Sequence, residues 1–285
     1  MEALDELESF SYQPGRPEEP APEQPRKRPR PNAQQQAAEL LAQAEADLTS
    51  SKVEVADNLD ANTMKRMILS VEKRINENMQ LRMKYSEQPE RFMDSELELY
   101  QELKALHVVA AVPELYPTFV KTKCAASLLQ LLAHENSDIS IDVVDLFHEM
   151  TDADDASPDD LRVLVDVLLE LDAPSMLMAH MEKLNEASEE EGACIHSTLG
   201  IFESILEARP ESAAELAGKG GLMKWLLTRL KVRGFHANKL YAGELLSVLL
   251  QQQPANQRRL GQVEGHVTPH DPCPHVHVHV HVHVH

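Results

Sequence analysis

The spacing of apolar residues along the chain changes sharply near residue 63. From there to about Tyr85 apolar side chains recur at intervals of three and four, which is typical of an amphipathic helix packing one face on a core. The residues of that face are Met64, Met67, Ile68, Val71, Ile75 and Met79. Residues 1 to 32 are instead rich in Pro, Glu and Gln without any period, so we expect them to be disordered, and residues 33 to 48 predict at most a loose helix.

Beyond Pro89 the chain reads as a series of apolar helical segments separated by Pro, Gly and acidic turns, without the alternating pattern of strands. The segment "SPDD", from Ser157 to Asp160, supplies a capping hydroxyl, a proline at the first helical position and acids in the first turn. It therefore predicts the start of the helix "LRVLVDVLLEL". The glycines of "GKGG", residues 218 to 221, predict the end of one helix and the start of another.

Three stretches share one organisation: a short apolar helix, a polar break and a longer apolar helix. They span residues 125–150, 175–206 and 221–250, and their longer helices end about 44 to 56 residues apart. This period suits armadillo or HEAT units. The pattern predicts an all-α fold, a right-handed α-solenoid of armadillo/HEAT-like repeats after a disordered N-terminal segment.

Composition supports a helical protein and narrows the choice of partners. Aromatic residues make up 4% of the chain and there are 10 glycines, fewer than a sandwich or barrel uses. Asp and Glu outnumber Lys and Arg by 47 to 27, for a formal net charge of −20, so the body should repel nucleic acid and attract basic partners. No apolar run approaches the roughly 18 residues of a membrane span, which argues against a membrane protein.

We expect three regions. Residues 1–62 form a largely disordered N-terminal region, residues 63–265 a helical repeat domain, and residues 266–285 a disordered tail of Val-His repeats. The alternation in this tail would place every imidazole on one side if the tail were extended, so it should bind nickel or zinc in vitro. We nevertheless predict no physiological metal site and no cofactor.

A basic cluster within residues 24–32, "QPRKRPRPN", stands out in this acidic chain. It contains Arg26, Lys27, Arg28 and Arg30, kept extended by interleaved prolines. A nuclear localisation signal, a nucleic-acid contact and no role at all are the three interpretations. No aromatic residue lies beside the cluster for base stacking, so we favour a signal that an import receptor reads.

The helix predicted from residue 138 to residue 150 carries four acids spaced four, three and four residues apart. They lie on one face, with apolar residues on the other. This acidic stripe consists of Asp138, Asp142, Asp145 and Glu149. Between residues 124 and 182 the only Lys or Arg is Arg162, which suggests that nothing neutralises the stripe. It is either a solvated face or the part of a solenoid groove that receives Lys and Arg side chains of a partner peptide.

Candidates for catalysis are weak. The chain lacks the GxGxxG, P-loop, HExxH and GxSxG motifs. Cys194 and His196 are close in sequence, but residues two apart on a helix point in different directions. The three cysteines form no CxxC pair, so neither a zinc site nor a disulfide framework is indicated. Trp225, the single tryptophan, is interpreted as core rather than as a ligand platform.

Several segments together resemble the β-catenin-like protein 1 family of nuclear armadillo proteins. They are "LESFSYQP", "KRPR", "MKRMILSVEKR", "PERFMDSELEL", "HVVAAVPELY", "DISIDVVDLFHEMTD" and "ANKLYAGELLSVLLQ". The resemblance runs in order from about Tyr12 to Gly265. It implies a non-enzymatic nuclear scaffold of pre-mRNA splicing complexes that binds basic, nuclear-localisation-type segments of partner proteins.

Two departures from the family leave other interpretations open. Family members continue for roughly as long again beyond Gly265, whereas here the tail "HVTPHDPCPHVHVHVHVHVH" follows. The chain could therefore be a truncated isoform or the product of a mispredicted gene model, and then a non-functional or dominant-negative form. An enzyme of unrecognised class is the third possibility.

Overall fold

The computed structural model describes residues 59–152, 156–218, 221–234, 236–251 and 253–265. Within these ranges the chain forms twelve α-helices joined by turns and short 3-10 segments, and no strand. The helices are α1 (Ala61–Lys84), α2 (Met93–Leu106), α3 (Tyr116–Lys121), α4 (Cys124–Gln130), α5 (Ser137–Thr151), α6 (Pro158–Glu170), α7 (Ala173–Met181), α8 (Glu189–Ala208), α9 (Ala213–Leu216), α10 (Leu222–Lys231), α11 (Ala237–Leu250) and α12 (Pro254–Gly265).

Three of the helices begin at a residue whose side chain satisfies a free backbone amide of the first turn. The Asp60 carboxylate accepts a hydrogen bond from the Thr63 amide at 2.7 Å, and the Asn136 side chain accepts from the Asp138 amide at 3.0 Å. Ser157 caps α6 as the sequence predicted, with its hydroxyl accepting from the amide of residue 160. Gly221 precedes α10 with φ of +84°, a left-handed conformation that glycine adopts without strain.

The longer helices stack side by side in one row. Helix α1 packs against α2, α2 against α5, α5 against α8, and α8 against α11. The shorter helices lie behind this row: α6 and α7 pack on α8, and α10 packs on α11. The three predicted helix pairs correspond to α4 and α5, α7 and α8, and α10 and α11, so the all-α architecture of stacked helical repeats is confirmed.

The core runs between the two sets of helices and is built mainly from Leu, Ile, Val and Met. The predicted apolar face of α5 is buried throughout, from Ile139 to Met150. On α1 the prediction was wrong at one end, because Met79 is 50% exposed whereas Met64, Ile68 and Val71 are buried. The buried position there is Asn78, whose amide donates to the Ser95 hydroxyl of α2 at 2.9 Å.

One glycine sets how closely the inner helices approach. A Cβ added at Gly200 of α8 would lie 2.4 Å from Nε2 of His148 on α5 and 3.4 Å from the hydroxyl of Tyr241 on α11. A methyl group does not fit at 2.4 Å. Three consecutive members of the row therefore meet at Gly200, where α8 has no side chain in their way.

Candidate functional site

The acidic stripe of α5 does lie along one side of the helix, but its four members differ in exposure. Asp138 and Glu149 are exposed, Asp145 is half-buried, and Asp142 is only 2% exposed. The reason is that α5 sits between α2 and α8, so its polar side is covered on both flanks. The stripe is thus a narrow seam in the helix row rather than an open surface.

The expectation that nothing neutralises the stripe was wrong. The Lys104 ammonium lies 2.5 Å from Oδ1 of Asp142, and Nε2 of His107 lies 3.3 Å from the same oxygen. Nδ1 of His107 also lies 2.8 Å from Oε2 of Glu149. Lys104 lies in the last turn of α2 and His107 directly follows that helix, so both bases are distant from the stripe in sequence.

These contacts fix the charge states in the seam. Burial alone would lower the pKa of His107, but the hydrogen bonds to Asp142 and Glu149 outweigh it and raise that pKa from 6.5 to about 9. Burial alone would raise the pKa of Asp142, but its hydrogen bonds with His107 and Lys104 outweigh that effect and lower the pKa. At neutral pH the His107 imidazolium and the Asp142 carboxylate are therefore both charged.

Asp145 faces the other flank of α5, where its Oδ1 accepts a hydrogen bond from the Ser197 hydroxyl of α8 at 3.0 Å. Burial raises the pKa of this carboxyl, and the nearby Asp142 adds to the effect. Within the described part of the chain, Oδ2 of Asp142 has no hydrogen-bond partner although it is fully buried. The seam therefore has carboxylate oxygens whose hydrogen-bonding capacity is unused.

A pocket of about 280 Å³ opens above these groups, between α2, α5 and the start of α8. It is lined by Tyr100, Lys104, Asp138, Ile141, Asp142, Asp145 and Glu190. Four of the seven lining residues are carboxylates and one is a lysine. Three of the four predicted stripe residues are thereby brought into a single concave site, and the fourth, Glu149, lies outside it.

A second pocket, of about 570 Å³, lies further along the same row between α5, α8 and α11. Its lining includes four carboxylates, Asp152, Glu203, Glu207 and Glu244, and no lysine or arginine. Asp152 continues the spacing of the stripe, because it follows Glu149 by three residues. The two pockets and the stripe form what we call the acidic face.

Sequence reasoning missed this second pocket. The available signal was the spacing of Glu203 and Glu207, four residues apart on the longest helix of the second repeat. In one wall of this pocket the Tyr241 hydroxyl donates a hydrogen bond to the Glu203 carboxylate. Burial and that carboxylate raise the pKa of Tyr241, so the phenol stays protonated.

The other sequence candidates lie apart from the acidic face or outside the described residues. Burial raises the pKa of the Cys194 thiol to about 12, which leaves it without nucleophilic character at neutral pH. The ring of its neighbour His196 packs against Tyr241 with centroids 4.8 Å apart. Trp225 is half-buried against the core. The basic cluster of Arg26, Lys27, Arg28 and Arg30, the predicted disorder on either side of it, and the Val-His tail all lie outside the described residues.

Two features of the described residues bear on other functions. None of the helices there is long and apolar enough to span a bilayer. Among the same residues no group of three or more His, Cys, Asp and Glu side chains is placed to hold a metal ion.

Stacked helical pairs with the longer helices in one row define an armadillo-type protein. Residues 36–267 match the sequence model of the family described as "Catenin-beta-like, Arm-motif containing nuclear", and the chain belongs to that family. The family description confirms both the predicted fold and the predicted nuclear localisation.

Relatives from animals and yeast agree with this assignment. The chain is 44% identical over 210 residues to "Beta-catenin-like protein 1" of Homo sapiens and of Mus musculus, covering 73% of this chain and 37% of each relative. It is 34% identical over 195 residues to "Beta-catenin-like protein 1 homolog" of Schizosaccharomyces pombe, covering 68% of this chain and 34% of the relative. The chain thus spans little more than a third of the curated relatives it matches.

Proposed function

We propose that the protein is a non-enzymatic nuclear scaffold of pre-mRNA splicing complexes that binds basic, nuclear-localisation-type segments of splicing proteins on its acidic face. The observation that carries this proposal is the continuous run of carboxylates across α5, α8 and α11. Lys104 is the only lysine or arginine among the residues lining the two pockets. A segment rich in Lys and Arg has the complementary charge.

Two carboxylates of the acidic face favour the binding of a cationic side chain from a peptide over the nonspecific attraction of small cations. The fully buried Oδ2 of Asp142, without a hydrogen bond from the described residues, can accept one from a guanidinium or ammonium group that enters the smaller pocket. Burial raises the pKa of Asp145 because the nearby groups do not provide enough compensating positive charge. A cationic side chain bound there would supply it.

The larger pocket offers a different mixture of groups. Leu240 and Tyr241 of α11 provide apolar surface for the methylene stem of a lysine or arginine, while Glu203, Glu207 and Glu244 receive its charge. The same carboxylates repel phosphates, so the acidic face does not contact nucleic acid directly. In this proposal the separate basic cluster at Arg26 to Arg30 is the address read by an import receptor.

Reversal of exposed charges on the acidic face tests the proposal. The double variant Glu207→Lys and Glu244→Lys should bind a fluorescent Lys/Arg-rich localisation peptide at least tenfold more weakly than the parent. An attraction replaced by a repulsion at a partly exposed site amounts to roughly 1 to 2 kcal/mol. Fluorescence anisotropy at about 50 mM salt, where screening is weak, measures the change.

A matched control separates the acidic face from the general acidity of the chain. The variant Glu90→Lys and Glu114→Lys reverses two exposed carboxylates elsewhere, so the net charge changes equally. It should bind within about twofold of the parent if local charge decides. Equal loss in both variants, or no loss in the first, would refute peptide binding at the acidic face.

A further inference from the structure

The most basic stretch of the described chain begins on α10 and ends in the first turn of α11. Between residues 224 and 239 the sequence has five Lys and Arg residues and no Asp or Glu, although the whole chain carries a net charge of −20. One of the five, Arg229, forms an ion pair with Glu186. The remaining four are Lys224, Lys231, Arg233 and Lys239, which we call the basic patch.

Three members of the basic patch are exposed, Lys239 is half-buried, and none of the four is paired with an acid of the described residues. Lys224 and Lys231 lie seven residues apart on α10 and thus share its solvent side, and Arg233 is exposed in the turn that follows. The Lys239 ammonium donates to the carbonyl oxygen of Val232 at 2.7 Å, which fixes it beside that turn without neutralising it. No carboxylate of the described residues lies within ion-pair distance of any of the four.

A small pocket of about 240 Å³ adjoins the patch, between the end of α7, α8 and α10. Most of its walls are apolar, and their members are Met181, Leu184, Ile195, Trp225 and Val232. Val232 is 39% exposed, and Trp225 is covered only in part. The pocket thus leaves apolar surface accessible next to unpaired positive charge.

A hydrogen-bond donor in the pocket is also unused. Arg229 lines the pocket, and although its guanidinium pairs with Glu186, its buried Nε makes no hydrogen bond to the described residues. A buried donor without a partner is unfavourable because it has given up its hydrogen bond to water. A backbone carbonyl oxygen of a bound chain would satisfy it.

We propose that the basic patch and its pocket form a docking site for an acidic peptide segment that carries one apolar anchor side chain. The anchor enters the pocket beside Trp225, and the flanking carboxylates pair with Lys224, Lys231 and Arg233. The site is separate from the acidic face and takes the opposite charge. A scaffold with both sites can hold a basic and an acidic segment at once.

Nucleic acid fits this site less well than an acidic peptide. Two carboxylates, Glu182 and Glu186, line the pocket and repel a phosphate that approaches it, whereas an acidic peptide can place its uncharged anchor there and keep its carboxylates on the patch. Only one aromatic ring, that of Trp225, lines the pocket for base stacking, whereas single-strand binding surfaces use several. The pocket is instead of a size and polarity suited to a single leucine or methionine side chain.

The position of the single tryptophan provides a direct reporter, since Trp225 is the only residue of its type in the chain. The probe is a synthetic ten-residue peptide of Asp and Glu with one central Leu. Its addition to the whole protein at about 50 mM salt should shift the Trp225 fluorescence saturably, because the anchor removes water from the indole. The same peptide with Gly in place of Leu should bind at least threefold more weakly.

Variants distinguish the site from nonspecific attraction. Lys231→Glu with Arg233→Glu should weaken binding at least tenfold, and the milder Lys224→Gln with Lys231→Gln should weaken it about threefold without any risk to folding. The matched control Lys65→Glu with Lys121→Glu, on exposed lysines elsewhere, should stay within twofold. Thr228→Tyr, which fills the mouth of the pocket from an exposed position, should abolish the preference for Leu over Gly.

Four results would overturn the proposal. They are the absence of a saturable fluorescence change in the parent protein, equal affinity in the parent and the charge-reversed variant, equal loss in the control variant, and tighter binding of a ten-nucleotide oligouridylate than of the acidic peptide. The last result would assign the patch to nucleic acid.

Discussion

The buried imidazolium of His107 should make the stability of the protein depend on pH in a definite window. Because the folded-state pKa of His107 is raised from 6.5 to about 9, its contribution to the free energy of unfolding is full below pH 6.5. It is lost as pH rises through 9. The shift corresponds to a contribution on the order of 3 kcal/mol, which is a large fraction of the stability of an ordinary domain.

Three charged groups face the imidazole: Asp142 and Glu149 of α5, which both favour its charged form, and Lys104 of α2, which shares Asp142. The pKa of Asp142 is lowered and that of Lys104 is raised, so both move away from the range between pH 6.5 and 9 in which His107 titrates. Replacement of His107 by Gln keeps hydrogen-bonding capacity but removes the titration. The parent should therefore lose roughly 3 kcal/mol more than His107→Gln between about pH 6 and about pH 9.5.

Urea unfolding followed by circular dichroism at the two pH values measures this difference, on the assumption of a two-state transition. His134→Gln is the matched control. Burial lowers the pKa of His134, so its contribution to the free energy of unfolding is present above pH 6.5 and is lost only as pH falls. If the parent and His107→Gln lose the same stability across this pH range, the ion network does not hold a charged imidazole and the reasoning fails.

Three further predictions use other parts of the structure. Gly200→Ala should lower the free energy of unfolding by about 1 to 3 kcal/mol in urea titrations, because its methyl group collides with His148; an unchanged midpoint would mean that the imidazole moves away freely. Asp142→Lys should lose cooperative thermal unfolding, since it buries a positive charge beside two other bases; a parent-like melting curve would contradict the buried network. Lys27→Ala with Arg28→Ala, in a fusion too large to diffuse through the nuclear pore, should move the fluorescence from nucleus to cytoplasm, and an unchanged nuclear signal would remove the import assignment.

The helices could be predicted from the sequence because their signals are local. Apolar spacing placed α5 and α8 within a few residues of their true ends, and the Ser157 cap identified the start of α6. The burial of Asp142 could not be predicted in this way. It depends on Lys104 and His107, which lie more than 30 residues earlier and which only the tertiary fold brings alongside.

The same distinction explains the outcome for the candidate site. The stripe pattern correctly placed four carboxylates on one side of α5, but periodicity does not tell which side of an inner helix is open. The pocket formed with Glu203 and Glu244 requires three helices from three repeats, so no single segment contains its signal. Asp142→Lys, which the stripe alone would suggest as a harmless surface change, becomes a test of folding for this reason.

The ion network between α2 and α5 joins two neighbouring helices of the row with charges rather than with apolar surface alone. In a linear array, stability divides into the intrinsic stability of each unit and a coupling between adjacent units. A strong electrostatic coupling at this one junction should make the amides of α2 and α5 exchange with solvent deuterium through a common opening. Above pH 9, where the imidazolium is lost, the two helices should begin to open independently, and the array would gain a boundary at which it can come apart.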